Sequence, residues 1–202
     1  MCIALELAAS IGAALKIIDE AIRDDGLHWV VGGSCGLLLQ RVALAAPPRD
    51  LDIYMDEAEM GRFHEKLAPY AIDGPALSET DRYRSILSHY DIAGVRVEAV
   101  GSFTVRCGLS VYRTEIRNVL LPYAPAAAAG GARIALMPLV HELVFNLLRG
   151  RPDRYEAIGE AMRRDVSAHL PLINRVLSHN SLDTPIVAEI ARLLGAPIRG
   201  NR

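Results

Sequence analysis

Long apolar runs are missing from this 202-residue chain. Every window of roughly 18 residues is interrupted by a charge, a proline or a glycine, which excludes a membrane-spanning helix. The start, MCIALELAAS, carries Glu6 and no basic cluster, so it reads as an amphipathic helix and not as a secretory leader. Cysteine is scarce: Cys2, Cys35 and Cys107 are an odd number without CxxC spacing, which argues against a zinc site and suits a reducing, cytoplasmic setting. The six histidines show no metal-ligand spacing, and His141-Glu142 does not extend to HExxH. Lysine is nearly absent, with only Lys16 and Lys66 among 22 basic residues. A basic surplus is missing too: the formal net charge is −2, which speaks against general nucleic-acid binding. No internal repeat is present.

What is there suffices for a substantial core, since 51% of the residues are hydrophobic. Charge divides unevenly. Up to Leu148 there are 13 Lys and Arg against 18 Asp and Glu, and from Arg149 onward 9 against 6. The acidic front favours a cationic small molecule over RNA as a partner. Ile3, Leu7, Ile11, Leu15, Ile18 and Ile22 recur at helical spacing, and Gly26 marks the stop. Strands are expected at Trp29–Val31, Asp50–Tyr54, Tyr83–Tyr90 and Val95–Val100, with a surface helix near 57–68. The alanine- and glycine-rich stretch 124–132 reads as a linker or long turn. From Pro138 the periodicity becomes helical to about residue 194. Together these predict an α/β (α+β) domain over 1–123, a mixed sheet flanked by helices. A linker at about 124–137 and a C-terminal helical bundle over 138–202 follow.

The chemistry concentrates in HWVVGGSCGLLLQRVALAAPPRDLDIYMD, residues 28–56. A Gly-Gly-Ser turn, Gly32-Gly33-Ser34, follows an apolar strand directly; such a turn leaves backbone N–H groups free to meet a phosphate. Asp50 and Asp52 then sit two apart on a strand and so share one face. Side-by-side carboxylates repel unless a cation sits between them, and Mg²⁺ suits all-oxygen ligands. Glu98, in GVRVEAV, faces with Arg96 and Val100 while Val97 and Ala99 face away. A solvated strand end for the aspartates, and an edge-strand ion pair with Arg96 or Arg113 for Glu98, are the simpler alternatives. Cys35, inside the turn, reads as a small apolar filler.

The order of Gly-Gly-Ser, Asp-x-Asp and a third acidic strand residue, over roughly residues 27–100, resembles the nucleotidyltransferase superfamily with the DNA polymerase β-like fold. That superfamily includes antibiotic nucleotidyltransferases and small bacterial toxin–antitoxin enzymes. The resemblance implies two Mg²⁺ ions about 3.5–4 Å apart, bridged by Asp50 and Asp52, with Glu98 holding one ion and helping to take a proton from the acceptor hydroxyl. Gly32, Gly33 and Ser34 would bind the phosphates of an NTP, and a nucleoside monophosphate would pass to a small molecule, a protein or an RNA end. The tail, MPLVHELVFNLLRGRPDRYEAI, resembles the helix pair of the toxin-type members, in which a lysine reaches the phosphates. Asn146 stands at that lysine's place here, so either Arg149 or Arg151 substitutes for it or nucleotide binding is weakened. An inactive protein of the same fold, acting as a nucleotide-binding or protein-interaction module, is the second reading.

Overall fold

The computed structural model describes residues 2–198, and side chains from residue 9 onward. Helix α1 (Cys2–Ile22) runs on through a 3₁₀ turn (Arg23–Asp25) and ends at Gly26, whose left-handed φ of 63° closes it as the sequence predicts. Strand β1 (Trp29–Gly32) leads into the short helix α2 (Gly33–Leu39), and β2 (Leu51–Met55) begins one residue later than expected, so Asp50 is at its mouth. Helix α3 (Met60–Leu67) precedes Pro69; β3 (Ala76–Glu79), β4 (Tyr83–Ile92), β5 (Val95–Cys107) and β6 (Ser110–Arg113) follow.

The main sheet has the order β1-β2-β5-β4-β3, with β6 pairing the far part of β5. The β2–β5 contact is parallel and the others are antiparallel. Strand alternation assigns the two faces. Leu51, Ile53, Val97 and Ala99 enter a core with Leu15 and Ile18 of α1 and Phe63 of α3. Tyr54 and Val100 face the other way, into a second core built with the C-terminal helices.

The stretch read as a linker at about 124–137 is instead a hairpin, β7 (Ala126–Ala129) and β8 (Ala132–Ala135). Gly130 and Gly131 form its two-residue turn, both with positive φ (59° and 84°), the combination that suits a tight hairpin. Gly130 also admits no side chain, because a Cβ there would fall 1.8 Å from the Gly12 carbonyl of α1. Ala132, Ile134 and Leu136 are buried, and Met137 N–H donates to the Val31 carbonyl, so the segment is built into the α/β core.

The tail is helical as expected: α4 (Leu139–Leu148), α5 (Pro152–Met162), α6 (Val166–His179) and α7 (Thr184–Leu194). Asp183 caps α7 by accepting from the Ile186 N–H at 3.2 Å. Helix α4 is buried along its whole length, including His141, Glu142 and Asn146. Among the described residues, no helix is long and apolar enough to cross a membrane.

Candidate active site

The carboxylates come together through sheet register. Asp52 of β2 pairs with Glu98 of β5 in parallel, and with Gly32 of β1 on its other side. Residues opposite one another on adjacent strands share a face, so Asp52 and Glu98 look into one cleft, and Asp50 joins them from the strand mouth. The cleft has a volume of about 460 Å³ and is lined by all three, by Gly33 and Ser34 of the turn, and by Arg149 and Arg151 of the tail. Seven of the eight residues singled out in the sequence therefore line it. Gly32 does not: it lies beneath, against Tyr54 and Glu142.

Gly33 is obligatory. Its φ is +56°, and a Cβ would sit 1.8 Å from Asp52 Oδ2, so the turn backbone and the Asp52 carboxylate are in direct apposition. The Gly33 N–H is not free for a phosphate, however. It donates to Glu142 Oε1 at 2.8 Å, so a carboxyl from α4 caps α2. Asn146 supports Glu142, its Nδ2 donating to the Glu142 carbonyl at 2.8 Å and lying 3.4 Å from Oε2. Ser34 Oγ accepts from Arg154 Nη2 at 3.1 Å. Arg151 is held by Asp153 through two hydrogen bonds of 2.9 and 2.8 Å, and the Arg149 guanidinium lies 4.9 Å from the Phe145 ring centre.

Electrostatically the site sets four carboxyls, Asp50, Asp52, Glu98 and Glu142, against three arginines, Arg149, Arg151 and Arg154, and its two most buried carboxyls hold their protons tightly. Asp52 is pushed up to about 7, first by burial and then by Asp50 and Glu98, with Arg149 and Arg154 opposing. Glu142 rises to about 8, chiefly through burial, although the Gly33 N–H pulls the other way. Cys35 donates its S–H to the Asp50 carbonyl at 3.1 Å, and burial pushes its thiol up to about 12; it is a packing group, not a nucleophile. Buried Asp52 beside two more carboxylates is a donor set that fits a hard divalent cation. The three are not gathered into a finished cage, since no group of three acidic, His or Cys side chains among the described residues is close enough to hold an ion. Glu98 instead leans toward Arg96 Nε at 3.6 Å and His89 Nε2 at 3.9 Å. The expectation that the three carboxylates lie close enough to share a metal is corrected accordingly: Glu98 is drawn off by Arg96 and His89.

Two residues escaped the sequence reading. Glu142 carried a signal only in being a charge within an otherwise apolar helix. Arg154 carried none, because its partner Ser34 is 120 positions away.

No family model matches the chain, and no curated protein matches it. Solved structures do. A Thermotoga maritima protein carrying a provisional nucleotidyltransferase assignment aligns with a TM-score of 0.58 and 22% identity, over 74% of this chain and 91% of that one. The antibiotic-resistance factor ANT(2″)-Ia, in its solution structure, aligns with a TM-score of 0.51 and 12% identity, over 83% and 91%. The fold is that of the nucleotidyltransferases.

Proposed function

We propose that the protein is a metal-dependent nucleotidyltransferase that moves a nucleoside monophosphate from an NTP to an acceptor hydroxyl or phosphate and releases pyrophosphate. One observation carries this reading: the in-register pair Asp52–Glu98 lies in one cleft with the Gly33-Ser34 turn, which abuts Asp52, and with Arg149 and Arg154. Asp50, Asp52 and Glu98 are the residues that would hold Mg²⁺, which when bound supplies charge neutralisation for the triphosphate. The likeness to ANT(2″)-Ia, an antibiotic-resistance factor, fits a small-molecule acceptor. The free thiols of Cys35 and Cys107 fit the cytoplasm.

Arg154 with Ser34, and Arg149 beside them, receive the phosphates; Arg151 is committed to Asp153 and contributes less. With the Gly33 amide already engaged by Glu142, guanidinium groups take over the anion binding that the turn's first N–H would have provided. Glu98 accepts the proton of the acceptor hydroxyl as its oxygen bonds to the α-phosphorus. The bond from that phosphorus to the oxygen of the β-phosphate breaks, and pyrophosphate leaves. The protein's contribution is placement and charge.

Titration calorimetry with ATP and the other NTPs, with and without Mg²⁺, tests this on wild type and on the double variant Asp50→Asn, Asp52→Asn. Two like charges about 4 Å apart cost about 4 kcal/mol at an effective dielectric of 20, so the carboxylates and a triphosphate need cations between them. Wild type should bind only with the metal and the variant not at all. Should wild type bind no NTP with any divalent ion, the inactive-module reading replaces this one. The engaged Gly33 N–H and the neutral Asn146 are the observations that favour that alternative.

A further inference from the structure

The cleft is chemically two-sided, and the division follows the sheet. Its charged groups gather over β1 and β2, at the Gly33-Ser34 turn, with Arg149 and Arg154 above them. Past Glu98, toward β4 and β3, the strands add no charged residue to the lining, and the charges that touch the aromatic wall are cations: Arg149 lies 4.9 Å from the Phe145 ring centre and Arg82 5.5 Å from that of Tyr83. Val100 follows Glu98 on the same face of β5 and pairs with Leu87 of β4. Tyr83 and Phe103 stand 5.8 Å apart between ring centres, and Phe103 meets Phe145 edge-on at 5.1 Å. Thr80 and Ser85 supply hydroxyls along the same wall. Tyr83, Leu87 and Phe103 are only partly buried, so their apolar faces open into the cleft.

We infer that this aromatic half seats the acceptor, and that the acceptor is a hydroxyl compound with an uncharged ring-bearing body, not a polycation. This rests on the transferase reading above. If the phosphates lie against Ser34 and Arg154 and Glu98 takes the proton, the attacking hydroxyl must come from the far side of Glu98, where the aromatic wall begins. A polycation there would shed its hydration with Glu98 as its one carboxylate and with Arg82 and Arg149 repelling it from the rings, whereas a neutral ring buries apolar area against Tyr83 and Phe103 and can hydrogen-bond to Thr80 and Ser85. The acidic balance of the front half of the chain, which favoured a cationic acceptor, is thus misleading: within the cleft its acidic groups lie on the metal side.

Ligand-observed NMR on the full chain tests the assignment, using 4-nitrophenyl β-glucopyranoside as the neutral ring probe and tobramycin as the polycation. Each is titrated with and without Mg²⁺ and α,β-methylene-ATP. The glycoside should bind and tobramycin should bind more weakly. Tyr83→Ala and, independently, Leu87→Ala should each weaken the glycoside by about tenfold, with Mg²⁺–nucleotide affinity unchanged. Tighter binding of tobramycin, or no binding of the glycoside to wild type, overturns the inference. So does a loss of nucleotide affinity in properly folded Tyr83→Ala, which would give the wall to the nucleobase. Failure of wild type to bind nucleotide sinks the transferase reading and with it the acceptor role, while the titrations without nucleotide separately decide whether the wall takes a neutral ring.

Discussion

Glu142 sits where two requirements conflict. Its carboxyl is enclosed by α4, and closeness to Asp52 raises the cost of ionising it, yet Oε1 is the acceptor that the Gly33 N–H needs. Glutamine offers the same acceptor without a charge. Glu142→Gln should therefore keep Mg²⁺–ATP affinity close to wild type and melt at or above the wild-type temperature at pH 8. Glu142→Leu leaves the Gly33 N–H buried and unpaired, a loss on the order of 1–3 kcal/mol, and should also weaken nucleotide binding because Gly33 abuts Asp52. Thermal melts and calorimetry of the two variants decide this; equal behaviour of Gln and Leu would remove Glu142 from the positioning of the turn. Arg154 is the counterpart on the anion side. Arg154→Gln should cost about tenfold in NTP affinity, in line with one charge-assisted contact of about 1.4 kcal/mol, and leave the melting temperature nearly unchanged. An NTP affinity equal to wild type would return the phosphates to other groups.

The hairpin β7–β8 belongs to the fold as much as the main sheet does. Ile134 is buried in the core that also holds Leu15, Val31 and Ile53, so Ile134→Ala should destabilise the protein by about 2–4 kcal/mol. Denaturant unfolding measures it, and a loss below about 0.5 kcal/mol would be the surface-substitution value expected of a tether. Elements whose signal is local were legible in the sequence. Ile3 to Ile22 announced α1, Gly26 its end, and the alternation around Asp52 and Glu98 marked each as a carboxylate turned away from its strand's apolar neighbours. The hairpin was missed because four successive alanines carry no period and little β propensity; Gly130-Gly131 was the one clue, and it read as looseness. The caps and clamps of the site were out of reach for a different reason. Glu142 on Gly33 and Arg154 on Ser34 join positions more than 100 residues apart, and a single sequence holds no trace of such pairings.

At the scale of the whole molecule, the cleft makes stability depend on pH in a direction opposite to that of a protein held together by surface ion pairs. Asp52 and Glu142 both bind their protons more tightly folded than unfolded, with folded values of about 7 and about 8. Such groups favour the folded state fully below their unfolded pKa values, and that contribution disappears as pH rises through the folded ones. His141 acts in the other sense. Burial beside Tyr112, whose hydroxyl is 2.8 Å from Nδ1, lowers it to about 3, so unfolding is favoured once pH drops below the ordinary histidine value. Between pH about 7 and 8 the histidine is mostly neutral in both states and the carboxyls dominate. Stability should fall across that window, with a slope of up to about 1.4 kcal/mol per pH unit for each proton involved. Asp52→Asn should flatten the fall and raise the melting temperature at pH 8 even as it removes metal binding. Mg²⁺ should stabilise wild type more at pH 8 than at pH 6, because an ion competes with the proton for Asp52. Melting curves at three pH values, with and without Mg²⁺, provide the check. A wild-type protein whose stability rises from pH 7 to 8 would mean that Asp52 is already ionised at neutral pH, its charge balanced by Arg149 and Arg154.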